Sequence, residues 1–458
     1  MRQKLKPLSK SKVLAGQGER AASGRSLEEW LSLLETRHPS EVDLGLERIA
    51  KVGEALKLIR PASQTITVAG TNGKGSAVAI LEAILLRKGR RVGAYTSPHL
   101  VNYNERVRID GQPVDDQVLC QAFAEIEAVR GDISLSYFEF GTLAALLIFA
   151  QAGLDVALLE VGLGGRLDAV NIVDADVGII TSIALDHESW LGDSREQIAL
   201  EKAGIARANR PLVCADSDMP TTLLPQLQKL GARPYVLGGA EFCYRSEGEK
   251  ITLHCSDDSG ERHTFSDLPL PHVPLPSALC AVQALLVLGE SIAEQTVQQI
   301  FSTTQLPGRL QHLRLHDRNI ILDVAHNPAA AQLLAQNLAS RKTGAIHALF
   351  SVMADKDIAG IVSPLCHLVS HWHIAELPNM SRAAKPADVV NIVQSCKSEG
   401  VDAGVECSTY SDVEVAMSGA LNQMQPEDTL LGFGSFFTVA AILATIEATA
   451  QPGDIARK

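Results

Sequence analysis

A glycine-rich loop that follows a short apolar strand is the segment best suited to chemistry. Residues 66–76 read ITVAGTNGKGS, and an apolar helical pattern continues through residue 86. The glycines allow a tight turn in which backbone N–H groups face phosphate oxygens at a helix N-terminus. Lys74 is placed to reach the outer phosphates, and the Ser76 hydroxyl to meet a magnesium ion. This order of strand, loop and helix predicts a nucleotide-phosphate site rather than a turn with a surface lysine.

Two further polar residues follow apolar strands. Glu160 ends the strand at 156–160, and His187 follows the strand that ends at Ile183. A carboxylate at the carboxyl end of a buried strand is the usual holder of a magnesium ion that bridges phosphates. Glu160 could instead cap a helix or pair with Arg166, and spacing alone does not separate these interpretations. A lone histidine is more often a packed or surface residue than a ligand, so spacing leaves His187 as a candidate only.

The elements that must position these residues alternate between strands and helices. This alternation is typical of parallel βαβ units in a doubly wound α/β sheet, whose ligands lie at the carboxyl ends of strands. Polar, alternating segments from 235 to 265 predict an added small β element, and βα alternation restarts after a hinge at 306–308. We therefore expect a flexible basic tail (1–25), a phosphate-loop domain that begins with a capping box at Ser26 and Glu29 (26–306), and a smaller Rossmann-like α/β domain (307–458).

Composition narrows the class of protein. The chain has 458 residues, 46% of them apolar, and no apolar run long enough to span a membrane. Its eight cysteines are scattered without a CxxC pair, which favours reduced thiols in a cytoplasmic protein and argues against structural zinc. The formal net charge of −12 argues against general nucleic-acid binding. A small anionic substrate remains compatible, because a few local cations can set the field of one cleft.

Several segments resemble, in order, the folate branch of the Mur ligase superfamily, which comprises folylpolyglutamate and dihydrofolate synthases. They are DLGLERI from Asp43, GTNGKGS from Gly70, TSPHL from Thr96, SYFEFGT from Ser136, EVGLGGRLDAVN from Glu160, PGR from Pro307 and LDVAHNP from Leu322. The likeness runs from about residue 26 to 447, and the glycine between Lys74 and Ser76 fits this branch. The resemblance implies a phosphate-loop ATP- and pterin-binding domain followed by a C-terminal glutamate-ligase domain.

The resemblance also implies roles for individual residues. ATP would be bound by Thr71, Asn72, Gly73, Lys74, Gly75, Ser76, Ser277, Arg309 and Asp323; metal by Ser97, Glu160 and His187; and the pteroate substrate by Asp43, Leu44, Gly45, Leu46, Ser136, Tyr137, Phe138, Glu139, Leu167, Asp168 and Ala169. Catalysis would rest on Lys74, Lys202, His187 and Arg309, with Lys202 carried as a carbamate (N6-carboxylysine). One position departs from the family, which usually has asparagine where this chain has the shorter Ser277, so we expect the nucleotide contact there to be replaced by water or lost.

The implied reaction is ATP-dependent ligation of L-glutamate to dihydropteroate and to the γ-carboxyl group of tetrahydrofolates. ATP is the co-substrate, two Mg²⁺ ions are expected, and a monovalent cation is a further expectation. We expect a monomer without nucleic-acid or membrane partners. The alternatives are an enzyme restricted to folylpolyglutamate synthesis, a peptidoglycan-type Mur ligase, and a nucleotide-dependent switch protein. The short ordered stretch before the phosphate loop disfavours the Mur ligase, since a separate nucleotide-sugar domain needs more residues.

Overall fold

The computed structural model describes residues 24–38, 43–58, 60–315, 317–339, 344–378, 380–395, 406–449 and 455–457. The predicted basic tail lies outside these ranges except for residues 24 and 25. The capping box is confirmed: Ser26 Oγ accepts a hydrogen bond from Glu29 N at 3.2 Å, and the Glu29 carboxylate accepts one from Ser26 N at 2.7 Å.

Within the described residues, an eight-stranded sheet carries the phosphate loop. Its strands are β1 (Gln64–Ala69), β2 (Val92–Tyr95), β3 (Val107–Ile109), β4 (Gln112–Pro113), β5 (Val156–Glu160), β6 (Val177–Ile180), β7 (Pro211–Cys214) and β8 (Arg233–Val236). They lie in the order β4-β3-β2-β5-β1-β6-β7-β8. Strand β1 is parallel to both β5 and β6, and Val68 pairs with Glu160. The loop after β1 therefore starts beside Glu160, as the sequence predicted.

Helices cover both faces of this sheet. They are α1 (Leu27–Arg37), α2 (Glu47–Ala55), α3 (Lys74–Arg87), α4 (Asp116–Val129), α5 (Tyr137–Ala152), α6 (Glu188–Leu191), α7 (Arg195–Ala203) and α8 (Leu223–Lys229). Short 3-10 turns occupy Tyr103–Arg106 and Ala169–Ile172. Alternate β1 residues enter two separate apolar clusters, with Val68 on one face and Ala69 on the other. Burial on both faces explains the continuous apolar, β-branched sequence of β1.

A three-stranded antiparallel sheet follows, formed by β9 (Cys243–Glu247), β10 (Lys250–Ser256) and β11 (Arg262–Pro269). The prediction of an added β element is confirmed, but its start at residue 235 was wrong, because Tyr235 lies in β8 of the large sheet. Strand β8 is a sheet edge and is only partly buried, so its polar alternation looks like that of an exposed hairpin. Helices α9 (Leu275–Val287) and α10 (Glu294–Thr303) complete this part of the chain.

A second, seven-stranded sheet forms from residue 311 onward within the described ranges. Its strands are β12 (Gln311–Leu315), β13 (Arg318–Leu322), β14 (Ile346–Phe350), β15 (Val369–Ala375), β16 (Glu406–Tyr410), β17 (Thr429–Phe433) and β18 (Ile455–Arg457), in the order β16-β15-β14-β17-β13-β12-β18. Its helices are α11 (Pro328–Ala339), α12 (Ile358–Val362), α13 (Pro386–Ser395), α14 (Val413–Gln423) and α15 (Phe436–Thr449), with a 3-10 turn at Ser363–Leu365. None of the helices in the described ranges is long and apolar enough to cross a membrane.

Candidate active site

The phosphate loop joins β1 to α3 and bends at Gly70 and Gly73, whose φ angles are 150° and 84°. L side chains rarely adopt such angles, and a Cβ atom at position 73 would lie 2.2 Å from Ser277 Oγ. Lys74 Nζ donates hydrogen bonds to the carbonyl oxygens of Gly70 and Thr71 at 3.0 and 3.2 Å. Burial lowers the pKa of Lys74, against the opposing effect of nearby carboxylates. The ammonium is therefore held over the loop, where phosphates would lie.

A buried hydroxyl and a buried carboxylate lie together beside the loop. Ser76 Oγ is buried and has no hydrogen-bond partner among the described residues. The Glu160 carboxylate is 4% exposed, accepts a hydrogen bond from Ser97 N at 3.1 Å, and its pKa is raised by burial. An orphaned hydroxyl beside a carboxylate at a helix N-terminus is a set of hard oxygen donors. These residues would suit a magnesium ion.

His187 begins α6 with a left-handed backbone, φ 52° and ψ 41°. Desolvation by the surrounding residues lowers the imidazole pKa to about 4, although the His187 side chain is 43% exposed, and the charge of Asp186 only partly opposes this. The ring is therefore neutral at pH 7 and offers a lone pair to a metal ion. Its neighbour Asp186 accepts a hydrogen bond from His187 N at 2.9 Å. Burial alone would raise the pKa of Asp186, but the hydrogen bond with His326 and nearby cations outweigh burial and lower that pKa.

Lys202 lies on α7 and is 2% exposed, which is unusual for a lysine. Burial lowers its pKa to about 7, and the positive charge of Lys74 acts in the same direction. An amine with this pKa is largely neutral in mildly alkaline solution and can act as a nucleophile toward carbon dioxide. Lys202 therefore has the chemical properties that carbamate formation requires.

Residues of the second sheet complete the site. The Asp323 carboxylate accepts hydrogen bonds from Leu310 N at 2.9 Å and Ala325 N at 2.8 Å, and burial raises its pKa. The Arg309 guanidinium carbon lies 5.0 Å from the centre of the Phe436 ring. Stacking on an aromatic face leaves the N–H groups of an arginine free to point toward phosphate.

All of these side chains line one cleft of about 770 Å³, a size typical of a small-molecule site. The cleft brings together every residue predicted for ATP, metal or catalysis, namely Thr71, Asn72, Gly73, Lys74, Gly75, Ser76, Ser97, Glu160, His187, Lys202, Ser277, Arg309 and Asp323. The predicted pteroate residues are not among those that line it.

The pteroate residues form a neighbouring group instead. Arg48 joins two of their segments, because its guanidinium contacts the Asp43 carboxylate at 2.8 Å and the Glu139 carboxylate at 3.2 Å. The cleft-lining Arg106 lies 5.8 Å from the centre of the Tyr137 ring and so connects this group to the cleft. The remaining segment, Leu44, Gly45 and Leu46, is half-buried.

Some of the predicted pteroate residues also stabilise the local fold. Ser136 and Glu139 form the capping box of α5, with hydrogen bonds of 3.3 and 2.8 Å. Phe138 packs on Gly162, where a Cβ atom would lie 2.5 Å from the ring. Asp168, between Leu167 and Ala169, accepts hydrogen bonds from Leu163 N and Val170 N at 2.8 and 3.1 Å. Burial raises the pKa of Asp168 to about 6 despite these bonds.

Asp186 and Lys356 line the cleft but were not predicted as site residues, and neither was Asn327, which lies beside it. Lys356 Nζ lies 2.6 Å from Asp186 Oδ1, and Asn327 Nδ2 donates to Asp186 Oδ2 at 3.1 Å. Asn327 precedes Pro328, the first residue of α11, and this Asn-Pro pair is a helix-start signal. Lys356 carries no such signal, since it is a single lysine in a loop.

His326 links the loop after β13 to Asp186. Its Nδ1 faces the Val324 carbonyl oxygen at 2.8 Å, and its Nε2 faces Asp186 Oδ2 at 3.5 Å.

Comparison with known proteins agrees with this architecture. The family model described as Mur ligase, glutamate ligase domain, matches residues 308–436. The dihydrofolate synthase/folylpolyglutamate synthase of Escherichia coli is 44% identical over 428 residues, which cover 93% of this chain and 97% of that protein. The protein of the same name from Haemophilus influenzae is 39% identical, with 92% and 98% covered.

Solved structures are also similar over nearly the whole chain. The structure of Escherichia coli FolC in complex with DHPP and ADP has a TM-score of 0.86 and 42% identity, and covers 94% of this chain and 99% of that one. A bifunctional folylpolyglutamate synthase/dihydrofolate synthase from Yersinia pestis, complexed with AMPPNP and a Mn ion, has a TM-score of 0.85 and 42% identity, with 94% and 100% covered.

The phosphate loop, the second α/β sheet and their shared cleft define an ATP-dependent ligase of the Mur ligase type. Within that class, the chain belongs to the dihydrofolate synthase/folylpolyglutamate synthase family. The family, the fold class and the enzyme class predicted from the sequence are thereby confirmed.

Proposed function

We propose that this chain joins L-glutamate to dihydropteroate and to the γ-carboxyl group of tetrahydrofolates, with ATP converted to ADP and phosphate. The observation that carries the proposal is the single cleft in which Lys74, Ser76 and Glu160 meet Arg309 and Asp323 from the second sheet. The nucleotide and the acceptor carboxylate would be held between the two sheets.

The reaction runs in two steps. A carboxylate oxygen of the pterin substrate attacks the γ-phosphorus of ATP, the bond to the bridging oxygen of ADP breaks, and an acyl phosphate forms. The amine of glutamate, after losing a proton, then attacks the acyl carbon, and phosphate leaves as the amide forms. No covalent protein nucleophile is needed, so the protein acts through positioning and charge. Lys74 and Arg309 stabilise negative charge on the migrating phosphoryl group.

The metal ligands follow from the donor set. Ser76, Ser97 and Glu160 would hold one Mg²⁺, and His187 with the carbamate of Lys202 would hold a second. Bound magnesium neutralises phosphate charge in phosphoryl transfer. The buried, weakly basic amine of Lys202 supports the carbamate, which would convert a buried cation into an anion that a metal ion can balance. A monovalent cation belongs to the same proposal as a further cofactor.

The acceptor would lie on the group around Arg48 and Tyr137, which Arg106 connects to the cleft. Its aromatic and carboxylate side chains suit a flat heterocycle with polar edges. The ribose or adenine would contact Asp323. Ser277 is shorter than the family's usual asparagine, so we expect weaker nucleotide contact there. We further propose a division into domains at residues 306–307, and a cytoplasmic monomer without nucleic-acid or membrane partners.

The test measures phosphate release from ATP with Mg²⁺ and L-glutamate, using dihydropteroate, tetrahydrofolate or a UDP-sugar peptide as acceptor. Glutamate-dependent turnover with both pterins supports the bifunctional enzyme. Turnover with tetrahydrofolate alone would restrict it to folylpolyglutamate synthesis. Turnover with the sugar peptide alone would contradict the substrate assignment but not the assignment of the ATP site.

A further inference from the structure

Three histidines lie together on the second sheet, away from the residues that line the cleft. His347 on β14 is the parallel-strand partner of His371 on β15, and His373 follows two residues later on the same face. All three are buried, with exposures of 7%, 8% and 0%. Their neighbours Leu349 and Ala375 pack with α14 residues, so this face is covered by a helix. Nothing in the ligase reaction uses these rings.

The ring nitrogens converge. Nδ1 of His347 lies 3.2 Å from Nε2 of His373. Two imidazole nitrogens on one tetrahedral zinc ion, each about 2.05 Å from it, are separated by about 3.3 Å. Each of the three residues offers a nitrogen within 4.8 Å of those of the other two. The separation of the His347 and His373 nitrogens therefore matches that of two ligands on a common ion.

The outer nitrogens of this pair are held in the way that metal-binding histidines are held. Nε2 of His347 faces Asp428 Oδ2 at 3.6 Å, and Nδ1 of His373 lies 2.9 Å from Tyr410 Oη. Asp428 is itself fixed by hydrogen bonds from Ala345 N at 2.8 Å and Gln425 N at 2.7 Å. A carboxylate or hydroxyl behind each imidazole fixes its tautomer and its orientation toward a metal.

We propose that His347 and His373, with His371 as a third ligand, form a binding site for a divalent transition-metal ion of the zinc type. Imidazole ligands select zinc, copper or nickel over magnesium, which prefers oxygen, so this ion is distinct from the one that accompanies ATP. The carboxylates of Asp428 and Glu406 supply negative charge near the buried cation. The bound ion would tie β14 to β15.

The ligands are not equivalent. The rings of His371 and His373 stack with centroids 4.2 Å apart and planes inclined by 13°, and both nitrogens of His371 have partners outside the His347–His373 pair. Its nitrogens contact Glu406 Oε2 at 3.1 Å and Ser408 Oγ at 2.9 Å. His371 must rotate to reach the ion and give up these contacts. It should therefore contribute less affinity than either of the other two.

The test is zinc binding by the purified full-length chain, in competition with a chromogenic chelator and with excess Mg²⁺. We expect one zinc ion per chain, lost in His347→Gln and in His373→Gln, and bound about 10-fold more weakly in His371→Gln. His254→Gln, a histidine of the small antiparallel sheet, is the matched control and should retain the ion. Zinc stoichiometry and circular dichroism are the readouts, so ligase activity is not needed.

Two outcomes would contradict the proposed zinc site. Zinc uptake lost in His187→Gln but retained in His347→Gln and His373→Gln would place the ion in the catalytic cleft. A wild-type chain that binds no zinc at micromolar free metal would show that the 3.2 Å contact is only an N–H···N hydrogen bond. If the variants fail to fold, X-ray absorption of zinc-loaded wild-type protein decides, because a shell with two or three imidazoles supports the site and a shell of oxygens alone contradicts it.

Discussion

Asn72 of the phosphate loop and Asn327, in the loop after β13, exchange two side-chain hydrogen bonds, each 3.0 Å long, from Nδ2 of one to Oδ1 of the other. Asn327 Nδ2 also reaches Asp186, which Lys356 contacts from the loop between β14 and α12. These contacts fix the nucleotide loop against the unit that supplies Arg309 and Asp323. The relative placement of the two sheets is therefore part of the active site.

Replacing Asn327 with alanine should loosen this connection. The change leaves the Asn72 amide and an Asp186 oxygen without their partner, at a cost of about 1–3 kcal/mol. We expect reduced ligase turnover, with a free energy of unfolding lowered by that amount in urea titrations. Asn422→Ala, an exposed residue of α14, is the control. Equal turnover in the two variants would show that the amide pair does not position the loop.

Glu160→Gln should weaken metal binding without unfolding the protein. The change keeps the shape of a 4% exposed side chain but removes the charge that balances a divalent ion. Mn²⁺ affinity, followed by electron paramagnetic resonance in the presence of ADP, should fall about 10- to 100-fold. Glu290→Gln alters an equally buried carboxylate that pairs with Lys88 and Arg90. The Glu290→Gln control should lower the free energy of unfolding and leave Mn²⁺ affinity unchanged. Mn²⁺ affinity that falls in Glu290→Gln but not in Glu160→Gln would show that Glu160 is not a metal ligand.

Lys202→Ala tests the carbamate. Turnover should fall about 100-fold or more and recover in part with formate or acetate, which can replace the missing carboxylate. Protein equilibrated with ¹³C-bicarbonate should show a carbamate resonance that disappears in Lys202→Ala and persists in Lys229→Ala, which changes an exposed lysine. Full activity of Lys202→Ala without added acid would refute the modification.

Gly73→Ala tests two reasons for a glycine in the loop, namely its positive φ angle and its close approach to Ser277. Its φ of 84° costs an L residue about 1–2 kcal/mol, and the new Cβ would meet Ser277 Oγ. We expect about a 10-fold rise in the KM for ATP. Adding Ser277→Ala should relieve only the clash. Gly89→Ala has a similar φ of 77° with open space around it, so it should cost stability alone. No change in KM for Gly73→Ala would mean that the loop tolerates a side chain.

Asp168 should make stability depend on pH. Its folded-state pKa of about 6 lies above the usual aspartate pKa of 3.8, so the folded chain holds this proton to higher pH than the unfolded chain. The contribution is fully present below pH 3.8 and is lost as pH rises through 6, by about 3 kcal/mol. Urea titrations between pH 4 and 7 should show a smaller decline for Asp168→Asn than for the wild type. Asp267→Asn, an exposed carboxyl, should follow the wild type.

Much of this architecture could be predicted from local sequence. Strand β1 and the helix after Gly73 are strongly patterned, and the strand-end rule placed Glu160 beside the loop. Strands β3 and β4 are two or three residues long, too short for a period to show. The Asn72–Asn327 pair spans 255 residues, and Lys356 meets Asp186 across 170 residues. Such contacts depend on how two sheets meet, which local pattern does not encode.

The fate of a single carboxylate oxygen atom distinguishes the acyl-phosphate mechanism from its alternatives. Dihydropteroate labelled with ¹⁸O in its carboxylate is incubated with the enzyme, Mg²⁺-ATP and L-glutamate, and the released phosphate is analysed by mass spectrometry. If the carboxylate attacks the γ-phosphorus, one ¹⁸O atom is transferred to each phosphate while the amide product retains the other. Phosphate free of ¹⁸O, released at the same rate as product forms, would contradict the acyl phosphate and the ligation mechanism assigned to this cleft.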